Sequence, residues 1–353
     1  MSIFDSAAFQ GHEGLHAFAD EATGLRGFIA IHSTARGPAA GGCRMWAYGA
    51  EQAAIDDALR LARAMSFKNA IADLDLGGGK SVIIGDSRTA KTPALFEAFG
   101  RAVDTLGGRY WAAEDVGVSP ADLAHARRAT RFIAGLEGHP AAAGDPSPVT
   151  AEGVKRGIEL CVHRVLGRDL AGVTVALQGV GHVGAYLADK LAAAGARLVI
   201  ADVDEAATRA VAARTGARVV SVEAIFDVEA DVFAPCALGG AINLLTLPRI
   251  KTPIIAGAAN NQLVDPATGV ALMERGVTYA PDFVINGGGI ISIASEIRAL
   301  AAGGAYDPAW VEMKLAKLME TLDAILDRGL TERRPTQEIA IEIAQARIDA
   351  ARG

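Results

Sequence analysis

One stretch of this chain restricts its fold more than any other: GVTVALQGVGHVGAYLADKLAAAGARLVIADVDE, residues 172–205. It places an apolar strand, a glycine turn, a helix and a second apolar strand within 34 residues, and Asp202 ends the second strand. Glycines in such a turn let a pyrophosphate approach the helix N-terminus, while the acid accepts hydrogen bonds from ribose hydroxyls. The pattern therefore predicts a doubly wound, Rossmann-type sheet that binds a dinucleotide. The turn residues expected to line it are Gly179, Gly181, His182, Val183 and Gly184.

The residues that follow Asp202 indicate which dinucleotide is bound. They are Val203, Asp204 and Glu205, so no arginine is ready to receive a 2′-phosphate, and NAD is favoured over NADP. His182 is expected to be exposed and to face phosphate rather than to act as a catalyst. The alternative interpretation is a doubly wound sheet whose glycine turn binds nothing.

Length and composition limit the remaining possibilities. A chain of 353 residues exceeds the usual size of one hydrophobic core, which predicts two domains, and its many aliphatic residues and glycines favour α/β architecture. With 34 basic and 41 acidic residues the formal charge is −7, and no basic tract is present. Neither nucleic acid nor a membrane surface is therefore the expected partner, and a small molecule is expected instead.

The cysteines and the N-terminus bear on location. Cys43, Cys161 and Cys236 are far apart and lack metal-ligand spacing, which predicts free thiols in a reducing cytoplasm and no metal ion. The first residues show no basic start followed by an apolar core, and no apolar stretch approaches about 20 residues. Export and membrane insertion are therefore not expected.

The alternation of strand-like and helix-like segments predicts the domain organisation. Residues 1–145 are expected to form one α/β domain. Residues 146–330 are expected to form the dinucleotide-binding domain, and residues 331–353 to pack back on the first domain.

The segment KNAIADLDLGGGKSVIIGD, residues 68–86, places two lysines around an apolar run. The letters GKS at 79–81 suggest a phosphate loop, but such a loop needs a glycine where Leu74 stands and a helix afterwards. A strand is predicted afterwards instead, and another at 70–75, with Lys68 just beyond the end of a helix. The simplest alternative is a glycine turn into a buried strand with a solvated lysine.

Eight motifs in order resemble those of the amino acid dehydrogenase family that includes leucine, valine, phenylalanine and glutamate dehydrogenases. Leucine and phenylalanine dehydrogenases are the most similar, and the resemblance covers nearly the whole chain. It implies a substrate-binding and oligomerisation domain followed by an NAD domain, a cleft between them, and a homo-oligomer. The motifs are GPAAGGCRMW (37–46), MSFKNAIADLDLGGGKSVIIGD (65–86), AAEDVG (112–117), PSPVTAEGV (146–154), QGVGHVG (178–184), PCALGG (235–240), GAANNQL (257–263) and NGGG (286–289).

The resemblance also implies catalytic roles. Lys68 would hold the substrate carboxylate beside Gly41 and Gly42, Lys80 would be the catalytic base, and Asp115 would exchange a proton with the substrate nitrogen. The residue types suit these roles, because an ammonium binds a carboxylate as a point charge. A lysine becomes a base near neutral pH when burial and a neighbouring cation lower its pKa.

Further contacts follow from the same resemblance. Substrate contacts are expected from Ala40, Ala113, Asn261, Ile290 and Ile293. Cofactor contacts are expected from Thr150, Cys236, Ala237, Ala258, Asn260 and Asn286. Which of the two adjacent asparagines, Asn260 or Asn261, meets the substrate stays open. Glycines 77–79 are expected to let backbone and substrate approach closely while Lys80 stays on a rigid strand.

The resemblance also narrows the substrate. Glutamate-specific relatives carry a lysine where this chain has Ala40 and a serine where it has Ile293, and both hold the distal carboxylate. Their absence implies an apolar L-amino acid that is oxidised with NAD to a 2-oxo acid, ammonia and NADH. Leucine, valine or isoleucine is expected as the best substrate, with phenylalanine as the alternative. The rival of another class is a catalytically silent NAD-binding sensor, which would not need Lys68, Lys80 and Asp115.

Overall fold

The computed structural model describes residues 3–352, which divide into two compact units. The first unit comprises the chain up to Asp145, the segment Ile290–Val311 and the residues from Ala344 onward. The second unit comprises Pro146–Gly289 and Glu312–Ile343. Each unit combines helices with a sheet, so the predicted two-domain α/β fold is confirmed.

The sheet of the first unit is mixed and has the strand order β1-β2-β4-β3-β5. The pairs β1 with β2 and β2 with β4 are antiparallel, whereas β3 pairs in parallel with both β4 and β5. The parallel strands β3 and β4 are buried on both faces along most of their length, as is usual for parallel strands. The strands are β1 Gly14–Asp20, β2 Leu25–Ser33, β3 Ala39–Trp46, β4 Gly77–Ile84 and β5 Tyr110–Glu114.

Three helices accompany this sheet: α1 Glu51–Ile71, α2 Pro93–Asp104 and α3 Pro120–Arg127. Helix α1 continues to Ile71, so the strand predicted at 70–75 is wrong, and Lys68 lies in the last helical turn. The helical spacing of the buried positions Ala62, Ser66, Asn69 and Ala70 extends past the lysine, and the chain turns only at Asp73, whose φ is 51°.

The sheet of the second unit is entirely parallel, with the order β11-β10-β9-β6-β7-β8. The strand order reverses at β6, since β7 lies on one side of it and β9 on the other. Ligands of doubly wound sheets bind at the carboxyl ends of the strands beside this switch point. The strands are β6 Thr174–Gln178, β7 Arg197–Ala201, β8 Arg218–Val219, β9 Val232–Pro235, β10 Ile254–Ile255 and β11 Thr278–Tyr279.

The helices after Asp145 are α4 Ser147–Leu166, α5 His182–Ala193, α6 Glu205–Thr215, α7 Pro266–Glu274, α8 Asp282–Ile285, α9 Gly288–Ala302, α10 Pro308–Glu332 and α11 Thr336–Ala350. Most of α9 belongs to the first unit, which differs from the predicted assignment of residues 146–330 to one domain. The end of α11 also belongs to the first unit, where Arg347 Nη1 donates to the carbonyls of Ala70 and Ile71. Between residues 3 and 352, no helix has the length and apolar character that crossing a membrane requires.

Candidate active site

A lysine–aspartate pair lies at the centre of the first sheet. Lys80 on β4 has only 6% of its surface exposed, and its Nζ lies 2.7 Å from Oδ2 of Asp115, the residue after β5. The strand between them, β3, carries Gly42 at this level. A Cβ at Gly42 would lie 2.7 Å from the Asp115 Cβ, so the absent side chain provides the room in which the carboxylate lies. The structure therefore brings together the two residues predicted to be catalytic.

The electrostatics of this pair are set by burial and by two cations. Burial by itself would raise the pKa of Asp115, but the charges of Lys80 and Arg44 outweigh it and lower that pKa below its ordinary value. Asp115 is therefore a carboxylate at neutral pH. Arg44 Nε lies 3.1 Å from the same Oδ2 atom. Arg44 was not predicted, although its position two residues after Gly42 places it on the same face of the strand.

The three glycines before Lys80 are required by packing. A Cβ at Gly77 would overlap the Ser33 carbonyl oxygen on β2, and one at Gly78 would overlap the Ser66 backbone nitrogen on α1. A Cβ at Gly79 would lie 2.7 Å from the Tyr110 ring on β5. Neighbouring protein atoms thus occupy the space at all three positions, and the glycines allow α1 to lie directly on β4.

That close packing also positions Lys68. Its neighbour Asn69 is completely buried, and Nδ2 donates to the carbonyls of Gly77 on β4 and Ala40 on β3. Asn69 therefore ties the end of α1, with the half-buried Lys68, to the strands that carry the lysine–aspartate pair. On those strands Ala40 pairs with Gly78 and Trp111, whereas Gly41 and Gly42 pair with Ala112 and Ala113. Asn69 was not predicted, because an asparagine inside a helix gives no sequence signal.

The two isoleucines predicted to contact the substrate side chain, Ile290 and Ile293, lie on α9 within the first unit. Ile293 is buried and Ile290 is half-buried. The helix is fixed by Glu296, a completely buried carboxylate that accepts hydrogen bonds from three backbone N–H groups of the segment 135–143. Burial raises the pKa of Glu296, and these three hydrogen bonds oppose the rise. Glu296 was also missed, since no motif marks it.

The glycine turn of the second unit joins β6 to α5. Gly179 has a φ of 97°, and a Cβ there would lie 2.7 Å from the Ala237 nitrogen. A Cβ at Gly184 would overlap the Gly179 carbonyl oxygen, whereas no atom lies within 4 Å of a Cβ at Gly181. Two of the glycines therefore serve packing, and the third leaves open space in front of the α5 N-terminus. His182 is exposed and Val183 half-buried at this helix start.

Asp202 is held against this turn. Its Oδ2 accepts the Val180 N–H at 2.6 Å, and its Oδ1 accepts the Asp204 N–H at 2.9 Å. These hydrogen bonds fix the carboxylate at the carboxyl end of β7, beside the switch point of the sheet. This is the position from which the acid of a dinucleotide site reaches ribose hydroxyls.

A group of amides and backbone atoms lies at the neighbouring strand ends. Asn286 Nδ2 donates to the Ala258 carbonyl at 3.0 Å and to Asn260 Oδ1 at 2.8 Å, and the Ala258 N–H donates to Cys236 Sγ at 3.4 Å. Asn286 is 3% exposed, and its Oδ1 has no hydrogen-bond partner among the described residues. A buried amide oxygen without a partner suits a ligand that donates a hydrogen bond, such as a carboxamide.

Thr150 and Asn261 are placed differently. The Thr150 hydroxyl donates to the Pro146 carbonyl at 2.9 Å, and a Cβ at Gly289 would lie 2.7 Å from its oxygen, so it borders the NGGG motif. Asn261 is exposed with a φ of 52°, and its carbonyl accepts the Gly240 N–H at 2.7 Å.

A parallel sheet with a glycine turn, an acid at the next strand end and an open helix N-terminus defines the class of dinucleotide-binding proteins, and the residues present fit such a group. Comparisons with known proteins identify the family. The family described as Glu/Leu/Phe/Val dehydrogenase, dimerisation domain, matches residues 13–132, and that described as Glutamate/Leucine/Phenylalanine/Valine dehydrogenase matches residues 199–352.

Similar individual proteins are also amino acid dehydrogenases. The leucine dehydrogenase of Geobacillus stearothermophilus is 41% identical over all of this chain and 95% of its own length. The phenylalanine dehydrogenase of Bacillus thermotolerans is 42% identical over 96% of this chain and 89% of its own. The crystal structure of L-tryptophan dehydrogenase from Nostoc punctiforme superposes with a TM-score of 0.84, at 35% identity and 97% coverage of both chains. The chain belongs to the Glu/Leu/Phe/Val dehydrogenase family and is an amino acid dehydrogenase. Dehydrogenases of this family use nicotinamide cofactors.

Proposed function

We propose that this protein catalyses the NAD-dependent, reversible oxidative deamination of an apolar L-amino acid, with leucine, valine or isoleucine as the best substrate. The amino acid, NAD⁺ and water give the 2-oxo acid, ammonia, NADH and a proton. The observation that carries the proposal is the buried contact of 2.7 Å between Lys80 and Asp115, on strands lined by glycine and alanine, in a chain of this family.

Three residues, Lys68, Lys80 and Asp115, have separate roles in the proposed reaction. Lys68 binds the substrate carboxylate beside Gly41 and Gly42, which orients Cα. NAD⁺, when held at the glycine turn and Asp202, would supply the hydride acceptor that oxidises the substrate to an imine. Lys80 takes a proton from the water that attacks the imine carbon, and Asp115 exchanges protons with the nitrogen until ammonia leaves. General base catalysis of this kind contributes about 10²- to 10⁴-fold in rate.

The choice of NAD over NADP is supported by Asp202. Its carboxylate is fixed against the glycine turn and would repel a 2′-phosphate, and the residues after it, Val203, Asp204 and Glu205, bring no positive charge. The open space at Gly181 would admit the pyrophosphate, and the unpartnered Oδ1 of Asn286 would accept a hydrogen bond from the nicotinamide carboxamide.

The apolar substrate class is supported by the side chains proposed to surround it. Ala40 and Ile293 are 1% and 6% exposed, and neither offers a partner for a distal carboxylate. Burying an unpaired carboxylate costs at least several kcal/mol, so glutamate and aspartate are rejected. Phenylalanine is the second candidate, because the relatives include the phenylalanine dehydrogenase at 42% identity.

A homo-oligomer in a reducing cytoplasm completes the proposal. The homo-oligomer is supported by the family match over residues 13–132, which is described as a dimerisation domain. The reducing cytoplasm is supported by the three cysteines, all of which are free thiols.

The experiment is to mix the purified protein with NAD⁺ and a panel of L-amino acids and to follow NADH absorbance. Wild type should turn over leucine, valine and isoleucine but not glutamate. Lys80→Ala should lower kcat by about 10²- to 10⁴-fold with NAD⁺ affinity unchanged. Lys91→Ala is a matched control, because it also removes a lysine–aspartate contact, to Asp122 at 2.6 Å, elsewhere in the first unit. Binding of NAD⁺ without amino acid-dependent NADH formation would identify a silent sensor instead.

A further inference from the structure

Arg44 contacts the proposed catalytic pair without belonging to it. It lies on β3, and its Nε donates to Asp115 Oδ2 at 3.1 Å, the same oxygen that Lys80 Nζ contacts at 2.7 Å. The arginine side chain is 23% exposed and that of Asp115 is 21% exposed, so both are largely shielded from water. Two cations therefore share one carboxylate oxygen.

The guanidinium is itself held on its other edge. Arg44 Nη1 donates to Asp57 Oδ2 at 3.0 Å, and the Tyr48 hydroxyl donates to the same oxygen at 2.7 Å. Arg60 contacts the remaining oxygen of Asp57 at 2.5 Å. Because a guanidinium is planar and donates in fixed directions, a carboxylate on each edge fixes the direction in which Nε points. Arg44 is thus a rigid bridge between Asp57 on α1 and Asp115.

The charges explain why a permanent cation is useful here. A lysine that acts as a base must be neutral during part of the cycle, and Asp115 then faces one cation fewer. Burial would favour protonation of the acid at that moment. Arginine stays charged throughout, so it keeps Asp115 ionised whichever state Lys80 is in. It also weakens the hold of Asp115 on the lysine proton, since the carboxylate already has a partner.

Four titratable groups near Asp115, namely Cys43, Tyr48, Asp57 and Tyr110, keep one charge state near neutral pH. Burial raises the pKa of Cys43 to about 12 and raises the pKa values of Tyr48 and Tyr110 further. The pKa of Asp57 is lowered, because the Tyr48 hydroxyl and Arg44 outweigh burial. These four groups would therefore not account for a shift near neutral pH after a change at Arg44, whereas the Lys80–Asp115 pair contacts Arg44 directly.

We propose that Arg44 is a positioning residue of the dehydrogenase: it keeps Asp115 ionised and fixes the direction of its carboxylate, so that Lys80 is free to release its proton. This inference rests on the proposed function of the pair. It makes Asp57 and Tyr48 the supports of Arg44, although neither contacts Asp115 by a hydrogen bond among the described residues.

The test compares Arg44→Gln, Arg44→Lys and Arg60→Gln with wild type in NADH formation from leucine, between pH 7 and pH 11. In Arg44→Gln the pH at which kcat/KM reaches half its plateau should rise by about one unit, the effect of losing one nearby cation. Arg44→Lys should keep this half-rise pH, because the charge remains, but lower kcat by roughly threefold or more, because the fork is lost. Arg60→Gln removes an exposed cation from Asp57 alone and should change neither quantity.

The possible results distinguish a failure of the role proposed for Arg44 from a failure of the proposed function. A folded Arg44→Gln protein with wild-type NAD⁺ affinity and an unmoved half-rise pH would overturn the role of Arg44, since a merely structural residue would lower kcat without moving the profile. If Arg44→Gln does not fold, Arg44→Lys decides, and a wild-type kcat in that variant would overturn the proposal. An inactive wild type contradicts the proposed function itself, whereas an active wild type with an unmoved profile contradicts only this inference.

Discussion

His32 should make the first unit lose stability in mild acid. The ring is 4% exposed, Nε2 donates to the Gln10 carbonyl at 3.1 Å, and Nδ1 accepts from the Ser66 hydroxyl at 2.8 Å. Burial, followed by the charges of His12 and Arg63, lowers the pKa of His32 from its ordinary value of 6.5 to about 4. The folded protein is therefore more stable with a neutral His32 ring than with a protonated one. Ser66 lies on α1 two residues before Lys68, the residue proposed to bind the substrate carboxylate.

The direction and size of the change in stability with pH follow from these two pKa values of His32. The unfolded chain takes up a proton near pH 6.5, whereas the folded protein resists it until about pH 4. The stabilisation is therefore complete above pH 6.5 and is lost as the pH falls towards 4. At one pKa unit per 1.36 kcal/mol, the loss from this residue is about 2 kcal/mol at pH 5 and about 3 kcal/mol at full protonation. The pKa of His12 is also lowered, mainly by burial, and acts in the same direction.

The assay is equilibrium unfolding in urea at pH 7.5 and pH 5, followed by tryptophan fluorescence. All three tryptophans, Trp46, Trp111 and Trp310, belong to the first unit, so the signal reports on the unit that contains His32. His32→Asn should be less stable than wild type at pH 7.5 but should lose about 2 kcal/mol less on going to pH 5.

The control is His163→Asn, at an exposed histidine in the second unit, which should follow the wild-type pH dependence. Equal losses of stability in His32→Asn and wild type between the two pH values would refute the reasoning. Carboxylates do not explain a difference between the two proteins, because both contain the same ones, including Glu296 with its raised pKa.

Two further predictions concern specificity. Asp202→Ser should narrow the ratio of kcat/KM for NAD⁺ over NADP⁺, because the repulsion of a 2′-phosphate is removed; equal wild-type values for the two cofactors would contradict the role of Asp202. Ile293→Ala should raise the ratio of kcat/KM for phenylalanine over leucine severalfold, since each methylene that fits or clashes is worth about 1 to 3 kcal/mol. A wild-type kcat/KM for phenylalanine at least tenfold above that for leucine would overturn the substrate ranking.

Much of this architecture was predictable because it depends on local patterns. The parallel sheet of the second unit follows from the strand, glycine turn and helix around Gly179 and from Asp202 after the next strand. The contact between Lys80 and Asp115 was not derivable from spacing, since 35 positions separate them in the printed sequence. It was expected only through the resemblance to a family. The end of α1 was misjudged, because the apolar run after Lys68 suits a strand as well as a buried helix.

The residues that were missed act through long-range contacts. Glu296 accepts hydrogen bonds from the segment 135–143, about 150 residues earlier in the chain, and so belongs with the first unit. Nothing in its neighbours on α9 indicates a buried carboxylate. The sequence gives no sign that Asn69 and Arg44 are buried either, because an amide in a helix or an arginine on a strand is usually exposed. Their roles become visible only when the partner strands are in place.

The glycines of the first unit suggest why the charged groups can be buried so close together. Gly42 makes room for Asp115, and Gly78 brings the backbone of α1 at Ser66 onto β4, near Lys68. With glycine at these two positions, helix and sheet approach closely enough to exclude water from around Lys80, while Asp115 remains within reach of it. Exclusion of water strengthens each electrostatic interaction, and a lone charge would then be costly. In the series Lys80, Asp115, Arg44 and Asp57 each charge contacts one of opposite sign, so Arg44 offsets part of the cost of keeping Asp115 ionised in a site from which water is largely excluded.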